Sequence, residues 1–113
     1  MPWPCQLFFQ HPQEPLLFKA QGDADYVPYS QLPIGAMWMD GEELCVLLPS
    51  RDEWNVDRGR KLNEAKSTRR LPQWTWTGKP PNVTATPSIN SVGRYHGWLR
   101  DGVLSDDVDG RKF

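Results

Sequence analysis

The stretch from Gln73 to Ser105 limits the chain most, because its apolar residues recur at the spacing of a pleated strand and not of a helix. Trp74 and Trp76 alternate with Thr75 and Thr77, and Val83 and Ala85 alternate with Thr84 and Thr86. That period of two sends one set of side chains to each face of a sheet. Leu99-Arg100-Asp101-Gly102-Val103-Leu104 then sets Asp-Gly between apolar residues. A type I′ turn needs positive φ at both central positions, which Asp and Gly tolerate at least cost, so the segment predicts a tight hairpin.

The rest of the chain reads in the same way. Pro2, Pro4 and Pro12 surround Gln6-Leu7-Phe8-Phe9-Gln10 and exclude a helix of useful length, so residues 1–13 form a short strand or an N-terminal arm. Glu14 to Ala20 is a second short strand, and Gln21 to Gln31 is a loop. Ile34 to Met39 runs into Asp40-Gly41, and Glu43 to Leu48 returns as the other arm of a second hairpin. This return strand is apolar at consecutive positions, which suits a central strand buried on both faces. Residues 57–71 are expected to form a mobile basic loop, since Leu62 and Ala65 are too few apolar residues to dock a helix.

At 113 residues the chain holds one domain, residues 1–113, and six tryptophans let so small a chain bury much area with few side chains. The expected fold is mainly β: a small single-domain antiparallel sheet or sandwich of hairpins with at most one short helix. Trp38, Trp54, Trp76, Trp98, Val46, Leu48 and Leu99 are its expected core.

The net charge of −1 argues against a global field for nucleic acid or an anionic membrane. Charge is nevertheless uneven. Residues 57–70 hold Arg58, Arg60, Lys61, Lys66, Arg69 and Arg70 against Asp57 and Glu64, a local charge of +4 that leaves the remainder at −5. Asp106, Asp107 and Asp109 form an acidic tail. These basic and acidic residues are the expected contacts for a protein partner, and opposite charges at separate places also suit a homo-oligomer. The basic loop beside tryptophans would equally suit nucleic acid. No apolar run approaches a membrane span, and the N-terminus lacks the pattern of a signal peptide, so an intracellular product without a membrane partner is expected.

Little in the sequence points to chemistry. Cys5 and Cys45 stand apart, and neither they nor His11 and His96 show the paired spacing of a metal site, so no metal or cofactor is expected. Ser88, His96 and Asp101 contain the residue types of a hydrolytic triad, but their spacing does not favour that use over chance. His96 reads as a hydrogen-bonded structural histidine. The expectation is a protein that is not an enzyme.

Trp74-Thr75-Trp76-Thr77-Gly78, Pro87-Ser88-Ile89-Asn90 and Tyr95-His96-Gly97-Trp98-Leu99-Arg100-Asp101-Gly102 together resemble a family of small proteins encoded by bacteriophages and prophages, some carrying the label "ammonia monooxygenase". The likeness covers roughly residues 33 to 113. It implies a viral or prophage origin and the host cytoplasm or a virion as location. It also implies action by binding, as an inhibitor of a host or defence protein, with a virion component or a nucleic-acid-binding module as alternatives. Some members have Cys directly before the His and a Cys-rich N-terminal knuckle that would suit zinc; this chain has Tyr95 there and only Cys5 near its start.

Overall fold

A computed structural model describes residues 2–61 and 75–113. The first half of the chain forms strands β1 (Trp3–Pro4), β2 (Gln6–Gln10), β3 (Leu17–Ala20), β4 (Val27–Pro28), β5 (Ala36–Asp40), β6 (Glu43–Leu47), β7 (Glu53–Asn55) and β8 (Arg60–Lys61), with one 3₁₀ turn at Tyr29–Gln31. The second half adds β9 (Thr75–Lys79), β10 (Asn82–Thr86), β11 (Ile89–Ser91), β12 (Tyr95–Gly97), β13 (Leu99–Arg100) and β14 (Val103–Leu104). The mainly β expectation therefore holds, with a difference in detail. β2 pairs in parallel with β5, because the chain between them first adds β3 and β4 on the other side of β2 and then crosses back.

Seven strands form one sheet in the order β4-β3-β2-β5-β6-β7-β8. Its interior strand β6, between β5 and β7, explains the two cores. Leu44, Val46 and Leu48 point to one side, where they meet Met37, Trp54 and Val56, and Cys45 and Leu47 point to the other, among Phe8, Phe18, Ala36 and Trp38. All five of these β6-segment side chains are fully buried. At about 1.5–3 kcal/mol for each large aliphatic side chain removed from water, such a strand contributes heavily to stability on both faces. Residues 1–13 take the strand reading: β2 lies within the large sheet and buries Phe8.

The first core is closed by the second half of the chain, which supplies Val83, Ala85, Ile89, Tyr95, Leu99 and Leu104. Here the alternation in β10 is realised as expected, Val83 and Ala85 facing in and Thr84 and Thr86 lying nearer solvent. β9 and β10 form one two-stranded ribbon, β11 and β12 another, and β14 sits between β1 and β13. Asp101 and Gly102 have φ of 47° and 73°, the two positive values of a type I′ turn. The Asp40-Gly41 pair behaves differently: β5 runs through Asp40, and Gly41-Glu42 makes the turn. Of the expected core, Trp38, Trp54, Val46, Leu48 and Leu99 are buried, while Trp76 and Trp98 are half-buried. The expected contacts Lys66, Arg69 and Arg70, most of the expected mobile loop and Trp74 lie outside the described residues. Among those described, no helix is long and apolar enough to cross a membrane.

Candidate active site on the β11–β12 hairpin

The turn Ser91-Val92-Gly93-Arg94 joins β11 to β12, with the Arg94 N–H donating to the Ser91 carbonyl at 2.8 Å and Gly93 at a φ of 75°. It sets the register Ile89 opposite Gly97, Asn90 opposite His96 and Ser91 opposite Tyr95. Ile89, Ser91, Tyr95 and Gly97 face inward and are buried. His96 and Trp98 fall on the outer face by strand alternation, half-buried, with Ser88 half-buried at the entrance to β11.

That register makes Ser88 and His96 diagonal neighbours across the ribbon. The Ser88 Oγ lies 3.2 Å from His96 Nε2. On the other side of the ring, His96 Nδ1 lies 3.6 Å from Asp109 Oδ2. A proton on Nδ1 facing the carboxylate leaves the Nε2 lone pair to accept the serine hydroxyl, the tautomer a general base requires. The second distance is long for a hydrogen bond, as is common where catalytic contacts tighten only with substrate.

Residues that follow β14 hold the histidine. The main-chain N–H of His96 donates to Asp107 Oδ1 at 2.7 Å, and the His96 carbonyl accepts from the Val108 N–H at 2.7 Å. Asp107 is buried and also accepts from the Arg111 N–H at 2.7 Å and the Arg111 guanidinium at 3.0 Å. Burial alone would raise the Asp107 carboxyl, but the His96 and Arg111 donors and the Arg111 charge outweigh it and hold it below its ordinary value.

At its turn, the hairpin is tied to the β6–β7 connection by Asp52. This carboxylate accepts from Arg94 Nε at 2.6 Å, Ser50 Oγ at 2.8 Å and Ser91 Oγ at 3.1 Å. Burial pushes its carboxyl upward, and these three donors together bring it below its ordinary value.

The sequence-based site residues divide accordingly. Arg58 is held by Glu43 at 2.7 Å, and Arg60 and Lys61 are the half-buried residues of edge strand β8. Asp106 is exposed, whereas Asp107 and Asp109 both turn toward His96. Of the three residue types considered for a triad, Ser88 and His96 come together. Asp101 does not join them: it sits in the β13–β14 turn with its N–H bonded to Thr84 Oγ1 at 2.8 Å. Asp109 takes the third place. The available signal was the Gly93 turn, which puts Ser88 diagonal to His96 once Ser91 is paired with Tyr95.

No curated protein and no solved structure matches the chain. Residues 56–105 match the family model of BubE, a bacterial ubiquitination-like system serine protease. The matched segment contains Ser88 and His96 and ends before Asp109. The expectation that the protein is not an enzyme is thereby corrected: the segment carrying the hydrogen-bonded serine and histidine is similar to a serine protease family.

Proposed function

We propose that the protein is a serine peptidase whose nucleophile is Ser88, whose general base is His96 and whose orienting carboxylate is Asp109. The observation that carries this reading is the 3.2 Å contact between Ser88 Oγ and His96 Nε2 within a segment similar to a serine protease family. A serine hydroxyl is a weak nucleophile unless a base accepts its proton. As Oγ bonds to the carbonyl carbon of the substrate, its proton passes to Nε2, and the Asp109 carboxylate stabilises the imidazolium that results. His96 then gives that proton to the leaving amine as the C–N bond breaks; water, deprotonated by the same ring, bonds to the acyl carbon, and the C–Oγ bond breaks as the ring returns the proton to Ser88. The matching family is described as the serine protease of a bacterial ubiquitination-like system, which supports a protein substrate within such a system.

The test is covalent capture. A fluorophosphonate probe is expected to add one label, which peptide mass spectrometry places on Ser88, and Ser88→Ala and His96→Ala are each expected to abolish it. Folded wild-type protein that takes no label, or takes it at another serine, would overturn the assignment.

A further inference from the structure

Asp109 is half exposed and stands 3.6 Å from the ring it would orient, so that contact alone cannot hold the imidazole against solvent. Other groups must do so. We infer that Asp107 and Arg111 are the positioning residues of this centre, an inference that rests on the peptidase reading above. Asp107 Oδ1 receives the His96 main-chain N–H at 2.7 Å, while Oδ2 receives the Arg111 N–H at 2.7 Å, so one buried carboxylate ties the strand that carries the base to the turn that carries its partner. The Arg111 guanidinium then bridges Asp107 at 3.0 Å and Asp109 at 3.4 Å. Its second contact reaches the same oxygen, Oδ2, that faces His96 Nδ1.

The division of labour follows from the chemistry. Asp107 fixes the backbone of His96, with the Val108 N–H completing the grip on its carbonyl. Arg111 fixes the side chain of Asp109 by attraction, an orientation that a solvated carboxylate on a turn would not achieve by packing. Neither residue reaches the serine. Each acts through a neighbour, and the cost of losing either is misalignment.

The experiment compares rates of fluorophosphonate labelling at Ser88 in wild type, Arg111→Gln, Arg111→Lys and Asp107→Asn, together with the nitrogen-15 spectrum of the His96 ring. Arg111→Gln keeps the main-chain donor to Asp107 and removes only the bridge, and it is expected to slow labelling by up to about 100-fold, the scale of a small misplacement at a reacting centre. Its melting temperature should stay at the wild-type value. The wild-type ring is expected in one tautomer with the proton on Nδ1, the Arg111→Gln ring in a mixture, and Arg111→Lys in between.

Arg94→Gln serves as the comparison, since it removes a still shorter ion pair, 2.6 Å to Asp52, from the hairpin that carries His96, and it should leave both readouts unchanged. Asp107 is buried, so Asp107→Asn is judged only if its melting is cooperative; Arg111, one-third exposed, carries the decision. Labelling of Arg111→Gln at the wild-type rate, or equal slowing by Arg94→Gln, overturns the inference while leaving the peptidase reading intact. Failure of wild type to label sinks that reading, and a His96 tautomer indifferent to Arg111 then removes the positioning role as well.

Discussion

A methyl group at position 97 would collide with the phenol of Tyr95 and come within 2.8 Å of Ser105 Oγ. Gly97 lies between His96 and Trp98, and the absent side chain is what lets the Tyr95 ring cross beneath the strand to donate to the Ser105 carbonyl at 2.7 Å. The phenol is buried and hydrogen-bonded, so it has nowhere to retreat. Gly97→Ala is therefore expected to lower stability by about 1–3 kcal/mol, the usual range for overpacking. It should also slow labelling of Ser88. Adding Tyr95→Phe deletes the colliding oxygen, so the double variant should recover part of the loss, measured by urea unfolding. Additive losses would show that the phenol is not the obstacle.

The elements separate what can be read from residues alone from what cannot. The buried central strand was legible at Glu43 to Leu48, because only a strand covered on both faces is apolar at consecutive positions. The type I′ turn was legible at Asp101-Gly102 because the requirement is local. The candidate site was not. Ser88 and His96 are brought together by a register one turn sets, and Asp109 reaches the ring only because Asp107 and Arg111 fold the tail back onto β12. Residue types without that register read as coincidence, and aspartates beyond the last strand read as an acidic tail awaiting a partner.

The β5–β6 and β13–β14 turns also differ in what they can tolerate. Gly41 has a φ of 64° with open space where a Cβ would go, so Gly41→Ala should cost only the left-handed backbone term of about 1–2 kcal/mol. Gly102 has a φ of 73°, and a Cβ there would lie 2.6 Å from the Pro81 carbonyl oxygen. Its N–H donates to the Val83 carbonyl at 2.9 Å, and its own carbonyl accepts from the Cys5 N–H at 2.7 Å, so the turn cannot move away. Gly102→Ala is expected to be the more damaging of the two in thermal melting. Equal losses would mean that the turn is free to shift.

At the scale of the molecule, titratable groups with opposite shifts bound the pH range in which the two halves stay joined. Asp52 and Asp107 tie the hairpin at its two ends and are held below their ordinary value, so the stability they contribute is present above that value and lost as pH falls through the lowered one. Tyr29 and Tyr95 shift the other way. Burial pushes each phenol from 10.0 up to about 12, with the hydrogen bond to Glu53 adding to the effect at Tyr29 and the Asp107 charge adding to it at Tyr95. Burial likewise pushes the Cys5 thiol from 9.0 up to about 12. For a raised group the unfolded chain ionises first, so stability is intact below the unfolded value and declines as pH rises toward the folded one. Urea unfolding at fixed temperature should thus show stability nearly constant at neutral pH, declining from about pH 9 as thiols ionise in the unfolded chain and more steeply between 10 and 12. Tyr95→Phe loses the bond to Ser105 at every pH but has no proton to release, so its curve should start lower and fall less between pH 10 and 12. Parallel curves for the two proteins across that interval would show that the Tyr95 phenol titrates alike in the folded and unfolded chain. The packing of Tyr95 into the first core would then not be what joins the β11–β12 hairpin to the large sheet.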